Sequence, residues 1–256
     1  MSLSFLGKVC VLFVIFLMNL PSSVFAQSTC DDAYFDFVAA KFDGMYVGEL
    51  HGTNEAPEFI DCLVRRYLKL GASRSLVVSL ELPISAHQTD AHFWHNRDGR
   101  ASQRMFQLVQ DLLDYEKRGQ LRLHFQYKDH VTLQSGEKLG TPDQRIADSL
   151  KEAQKQGFVL ALGGNFHAMK KLPSAMPLKF ETAAMLLGDT WVSVNFSNIE
   201  ASEFWGCSPN AECGVRTAKA SITSPISDQF VEDKNGNYDR IWFARKFSAS
   251  LPVFDK

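Results

Sequence analysis

Short apolar runs alternate along this chain with longer amphipathic stretches of helical period. Residues 44–49 form the first run, and 75–82 the second, nearly all apolar apart from Glu81. Runs over 121–127, 158–162 and 190–196 follow, and 238–245 closes the series. Apolar runs of this length predict strands, and near-continuous apolar character predicts strands covered on both faces of a parallel sheet. Between the first two runs, Phe59, Ile60, Leu63, Tyr67 and Leu68 recur at helical spacing over 55–70, with Thr53 or Asn54 as the cap. Further helices are predicted over 31–42, 85–94, 103–118, 142–156 and 180–187. Residues 198–237 are polar and turn-rich and read as an insertion over one sheet edge. The alternation predicts an α/β fold: one domain with a mostly parallel central sheet flanked by helices, a helical insertion, and a loop-rich, disulfide-tied section.

The first residues stand outside this pattern. Lys8 supplies a short positive start, Val9 to Met18 is apolar, and Val24-Phe25-Ala26 is a small-residue cleavage pattern. Residues 1–26 are therefore expected to be a secretory signal, leaving 27–256 as a single domain that is periplasmic or secreted. No later segment is apolar enough to cross a bilayer. The 27 Lys and Arg, less Lys8, leave 26 basic groups against 29 acidic ones, and no basic stripe is present. Nucleic acid is not an expected partner. Oligomeric state is not legible. Cys10 leaves with the signal, so Cys30, Cys62, Cys207 and Cys213 remain, an even number that suggests disulfides in an exported chain. Three pairings are open, and Cys30–Cys62 with Cys207–Cys213 is the simplest.

Three predicted strands end alike. The first closes on Glu49 and His51, the second on Glu81, and the fourth on Asn165 and His167. Side by side in a parallel sheet, these groups would share the carboxyl rim, where α/β sheets place their sites. Glu49 and His51, two apart in an extended segment, lie on one face. Histidines and carboxylates together can ligate a divalent metal. Without metal, a histidine can take a proton from water while a carboxylate holds its other nitrogen. The Gly52 and Thr53 amides are candidate oxyanion donors. Glu55 suits the helix dipole at its position, yet lies close enough to His51 to join the site. Arg145 is either a cation for an anionic substrate or a surface ion pair. His87, His92 and His95 cluster on a predicted helix, more simply a solvated face than a metal site. Residues 233–239 lack the order of a calcium loop, and Asn235-Gly236 reads instead as a hairpin turn. No Gly-x-Ser-x-Gly elbow, P-loop or dinucleotide fingerprint occurs.

Gly48-Glu49-Leu50-His51, the acid closing the second strand, and Gly164-Asn165-Phe166-His167 together resemble the superfamily of erythromycin esterases, ChaN-type haem-binding proteins and Tiki/TraB proteins. The likeness extends to the helix at 142–156 and to Tyr238-Asp239-Arg240-Ile241-Trp242-Phe243. It implies an α/β fold with a polar pocket at the strand ends, holding Glu49, His51, Glu81 and His167. Members of the superfamily hydrolyse lactone esters, cleave peptides with a metal, or take up haem, so fold likeness does not choose the reaction. Two departures stand out. Asp143, Gln144 and Arg145 do not align with the Arg-Asp/Glu start of that helix in the superfamily, and the middle section is shorter than the helical insert of the esterases.

The leading expectation is an exported hydrolase of ester, lactone or amide bonds, acting on a small molecule or peptide. Glu49, His51, Glu81 and His167 would be catalytic, or ligands if a divalent metal takes part, with Glu55, Asn165 and Arg145 in support. The alternative is a periplasmic haem- or metal-binding protein. A third reading is a secreted protein whose pocket is inactive and whose surface binds a partner.

Overall fold

The computed structural model describes residues 30, 33–128, 140–176, 180–208, 211–220 and 227–254. The expected signal segment lies outside them. Helix α1 (Ala33–Lys41) leads into strand β1 (Gly44–Glu49), then α2 (Glu55–Leu70), β2 (Leu76–Pro83), α3 (Gln103–Lys117), β3 (Arg122–Tyr127), α4 (Pro142–Gln154), β4 (Phe158–Gly164), α5 (Ala183–Leu187) and β5 (Trp191–Asn198). Strands β6 (Ser202–Ser208), β7 (Ala211–Ala218), β8 (Phe230–Glu232) and β9 (Arg240–Ala244) complete the chain. The main sheet has seven strands in the order β3-β2-β4-β1-β5-β9-β8. Its pairings are parallel except at the edge, where β8 runs antiparallel to β9. This is the expected α/β domain.

Period-two alternation divides the core into two layers. Met45 and Val47 of β1, Val78 and Leu80 of β2, and Leu160 and Leu162 of β4 enter the cluster beneath α1, α2 and α3. Tyr46, Val77, Val159 and Ala161 enter the cluster beneath α4 and α5. Helix α2 buries Phe59, Ile60, Leu63, Val64 and Tyr67. Phe59 lies between Phe196 of β5, at 5.1 Å, and Trp242 of β9, at 4.5 Å between ring centroids. Burying one such ring contributes roughly 2–3 kcal/mol.

Two expected segments differ. Residues 85–94 form short 3-10 turns, Ile84–His87 and His92–His95, rather than a helix. The buried indole of Trp94 donates to the carbonyls of Ala86 and Gln88, folding the second turn back onto the first. Within the polar stretch, β6 and β7 pair antiparallel as a hairpin separate from the main sheet. The Cys207–Cys213 disulfide closes its tip. This hairpin presents no continuous apolar face, so its alternation is faint in the sequence. The turn at Asn235-Gly236 does join β8 to β9, held by Asp233, which accepts from the amides of Asn235, Asn237 and Tyr238.

The Cys30–Cys62 disulfide ties the segment before α1 to α2. Closing a loop across 32 residues restricts the unfolded chain by about 3–4 kcal/mol on the chain-entropy account. Cys62→Ser is therefore expected to lower the unfolding free energy by about that amount in urea titrations. A loss below about 1 kcal/mol would show that this bridge does not restrain the unfolded state as described.

Candidate active site

Strands β2, β4 and β1 are consecutive in the sheet, so their carboxyl ends bring Glu81, Gly164 and Glu49 to one rim. Glu81 is 5% exposed and Glu49 3%. A buried carboxylate is costly unless hydrogen bonds and opposite charges surround it. Glu81 has both. Its Oε2 accepts from the Gly164 amide at 2.6 Å, and its Oε1 accepts from the Tyr127 hydroxyl at 3.2 Å. Arg100 Nη1 lies 3.5 Å from Oε1. Glycine at 163 makes the approach possible, because a Cβ there would stand 2.8 Å from Glu81 Oε2 and 2.6 Å from the Tyr46 hydroxyl.

The two histidines face this carboxylate from opposite partners. His51 Nδ1 lies 3.0 Å from Glu49 Oε1, and its Nε2 lies 4.0 Å from Glu81 Oε2. His167 Nδ1 lies 2.8 Å from Asp143 Oδ1, and its Nε2 lies 3.9 Å from Glu81 Oε1. Asp143 Oδ1 also accepts from the Ala183 amide, which ties α4 to α5. Each imidazole is thus held at Nδ1 by a buried carboxylate and turns Nε2 inward. Their side chains are 30% and 22% exposed, so solvent reaches the imidazoles while the carboxylates stay behind them. Gly164 leaves the space between them open: a Cβ there would lie 3.2 Å from His51 Nε2 and 3.5 Å from His167 Cδ2.

Burial disfavours the charged form of each imidazole, but the facing carboxylates prevail. His51 is raised by its hydrogen bond to Glu49 and by the charges of Glu49 and Glu81. His167 is raised by Asp143 and Glu81, while the charge of His51 opposes its protonation. Burial raises the Glu49 carboxyl, and His51 pulls against that shift. Burial, with Glu81 beside it, pushes the Tyr127 hydroxyl well above its ordinary range, so it remains a donor.

A resident metal fits this arrangement poorly. Zinc ligands stand about 2.0–2.1 Å from the ion, so nitrogen–oxygen gaps near 4 Å would force the ion almost onto the line between two ligands. Glu81 Oε2 and Oε1 each already accept one hydrogen bond, from Gly164 and Tyr127. Among the described residues, no group of three or more His, Cys, Asp or Glu side chains is arranged to hold an ion.

The remaining sequence-derived positions divide. Asn165 stands at the rim, but its backbone is what binds, donating to the Glu49 carbonyl and accepting from the Tyr238 hydroxyl. Glu55 is turned away from His51 and holds the amide and hydroxyl of Ser248. Gly52 and Thr53 are buried, Thr53 bridging to Ala249 and Gly52 covered by Trp205, so their amides are not open to a substrate. His87 bonds the Ile84 carbonyl and His95 stacks on Phe254, both apart from the site. Asp143, Arg100 and Tyr127 were not assigned from sequence. Tyr127 ends β3 and obeys the same strand-end rule as Glu81. Arg100 arrives by a loop, for which periodicity holds no signal.

That loop is held by close backbone packing. A Cβ on Gly99 would meet the Gly52 nitrogen at 2.7 Å, the His51 carbonyl carbon at 2.8 Å and the Trp205 oxygen at 2.8 Å. Gly52 has φ +80°, and a Cβ there would stand 2.0 Å from the Trp205 oxygen. Trp205 also donates its backbone amide to the Gly52 carbonyl and its indole N–H to the Arg97 carbonyl.

Comparisons with known proteins place the fold. No family model and no curated protein sequence matches the chain. Among solved structures, a Bacillus cereus protein superposes with a TM-score of 0.62 at 11% identity, covering 90% of this chain and 96% of that one. A succinoglycan biosynthesis protein superposes with a TM-score of 0.60 at 11% identity, covering 86% and 91%. Haem-bound ChaN of Campylobacter jejuni reaches a TM-score of only 0.40 at 13% identity, covering 82% and 91%, too remote to carry an argument. The first two likenesses show a shared fold and nothing of the chemistry.

Because only backbone atoms face Gly99, none can yield cheaply. Gly99→Ala is expected to destabilise the protein by about 1–3 kcal/mol in chemical denaturation, as overpacking does. Gly214→Ala, where a Cβ meets nothing within 4 Å, is the control and should stay within about 0.5 kcal/mol of the parent. Equal effects at both positions would contradict the packing described.

Proposed function

We propose that this protein is an exported hydrolase that cleaves an ester, lactone or amide bond without a resident metal. One observation carries the reading: two imidazoles, each held at Nδ1 by a buried carboxylate, point Nε2 at one shared Glu81 across gaps of 4.0 and 3.9 Å. A water about 2.8 Å from both atoms across either gap would subtend roughly a right angle, which suits a bridging hydrogen-bonded oxygen.

Neutral His51 takes a proton from that water at Nε2, and Glu49 stabilises the imidazolium that forms. The water oxygen attacks the carbonyl carbon, and the carbonyl electron pair moves onto oxygen. Protonated His167 and Arg100 face the resulting negative charge. Collapse expels the alcohol or amine, which takes the proton held by His51. Glu81 keeps one imidazole protonated while the pair as a whole still offers a base. Export is supported by two disulfides, which persist in oxidising compartments, and by the cleavage pattern ending at Ala26. Among the described residues no helix is long and apolar enough to cross a membrane. The Gly-Glu-x-His and Gly-Asn-x-His motifs favour descent from the superfamily that includes erythromycin esterases and ChaN-type proteins.

Activity on p-nitrophenyl acetate and simple lactones tests the reading. Hydrolysis should survive chelation, and His51→Ala should cost about 10²–10⁴-fold in kcat/KM. Both imidazoles are raised above the ordinary 6.5. Below both of their pKa values no base is present, and above both no acid, so the pH profile should be bell-shaped with its optimum above 6.5. Asp143→Asn removes a partner that raises His167, so the alkaline limb should move to lower pH. An active His51→Ala variant, loss of activity on chelation, or a Soret band in the purified protein would contradict the proposal.

A further inference from the structure

His167 stands on a tight turn, residues 165–168, not on a strand or a helix. Inside the turn, the His167 amide donates to the Gly164 carbonyl at 3.0 Å, and the Ala168 amide to that of Asn165 at 3.2 Å. A single turn fixes several backbone torsions for each bond it makes, so it depends on outside partners to keep its shape. Shape matters here. The imidazole holds 2.8 Å to Asp143 and 3.9 Å to Glu81, and a misplacement of about 1 Å can cost on the order of 10²-fold in rate.

Two neighbours hold the turn. One is β1: the Asn165 amide donates to the Glu49 carbonyl at 2.8 Å, and a Cβ on Gly48 would stand 2.7 Å from Asn165 Cα. The other is the segment between β8 and β9. There the Tyr238 hydroxyl donates to the Asn165 carbonyl at 2.9 Å, and the Asn237 carbonyl accepts from the Lys170 amide at 2.7 Å. Lys170 Nζ pairs with Asp239 Oδ2 at 2.9 Å. That segment is fixed at both ends. Buried Asp233 accepts from the Asn235, Asn237 and Tyr238 amides, and Asp239 exchanges backbone and side-chain bonds with Ser193 of β5. Tyr238 is buried too, its ring in the cluster beneath α4 and α5. The turn that carries His51 is covered from elsewhere, by Trp205 of β6.

We propose that Tyr238 is a positioning residue for His167: its hydroxyl, aimed by the Asp233 turn, anchors the Asn165 carbonyl and so sets where the imidazole stands against Asp143 and Glu81. Its bearing on catalysis rests on the hydrolase reading, while the placement of the imidazole does not. Residues 233–239, a hairpin turn by sequence, thereby acquire a part in the site. The clamp is selective, because His51 stands on a different turn. Losing the hydroxyl loosens one imidazole of the two.

Tyr238→Phe removes one oxygen and keeps the ring. Tyr67→Phe is the matched control: the Tyr67 hydroxyl likewise donates to a backbone carbonyl, that of Arg74 at 2.9 Å, and its ring stacks on Phe158 at the amino end of β4. Thermal unfolding checks that both variants are folded. NMR then follows the exchange with water of the His51 and His167 Nδ1–H protons, assigned with His167→Gln, and hydrolysis of p-nitrophenyl acetate gives kcat and KM. In Tyr238→Phe the His167 proton should exchange about threefold faster or more, with His51 within about 1.5-fold, and kcat should fall about fivefold with KM within about twofold. Tyr67→Phe should leave all four quantities as in the parent. Unchanged His167 exchange in folded Tyr238→Phe, equal acceleration at both histidines, or an equal effect of Tyr67→Phe overturns the inference. So does an unchanged kcat where the parent is active. Faster exchange at His167 alone, in a protein inactive on p-nitrophenyl acetate and lactones, supports the positioning and counts against the hydrolase reading.

Discussion

A carboxylate buried at the centre of a sheet rim is the constraint around which this protein is arranged. Glu81 cannot lie at 5% exposure unless charge and hydrogen bonds come to it. They come from five groups: the Gly164 amide on β4, the Tyr127 hydroxyl on β3, the Arg100 guanidinium on a loop, and the two imidazoles from the segments after β1 and β4. All but the Arg100 contribution depend on the parallel order of β3, β2, β4 and β1 with the register observed. The charge thus specifies the sheet as much as the sheet positions the charge.

Support for the rim extends outward in layers. Glycines at 163 and 164 leave the volume in which Glu81 and both imidazoles meet, and glycines at 52 and 99 let the Trp205 backbone close over the turn after β1. The hairpin of β6 and β7 is tied at its tip by a disulfide and bonded through Trp205 to Gly52 and Arg97. It steadies the loop that delivers Arg100. The C-terminal segment completes the cover, with Ser248 and Ser250 bonded to Glu55, the Gly52 carbonyl and the Arg104 amide.

Much of this was legible in the chain because it depends on local rules. Strand and helix periodicity marked β1, α2, β2, α4 and β4 closely, and the ends of the three central strands pointed to Glu49, His51, Glu81 and His167. Disulfide pairing followed the simplest scheme. What escaped depended on partners distant in sequence. Asp143 is a helix-start residue like many others until its Oδ1 meets His167 Nδ1. Glu55 is near His51 in sequence, yet Ser248, far along the chain, claims it. The oxyanion role expected of Gly52 and Thr53 failed for a similar reason, since the covering hairpin and C-terminal segment have no local signature.

The central claim is that both imidazoles are held at Nδ1 by carboxylates and present Nε2 to Glu81. Ring-nitrogen NMR of the histidines tests it most directly. The account predicts that His51 and His167, when neutral, are Nδ1–H tautomers with Nε2 unprotonated, and that Glu81→Gln lowers the titration midpoints of both together. Neutral Nε2–H tautomers, or midpoints that ignore Glu81→Gln, would contradict it.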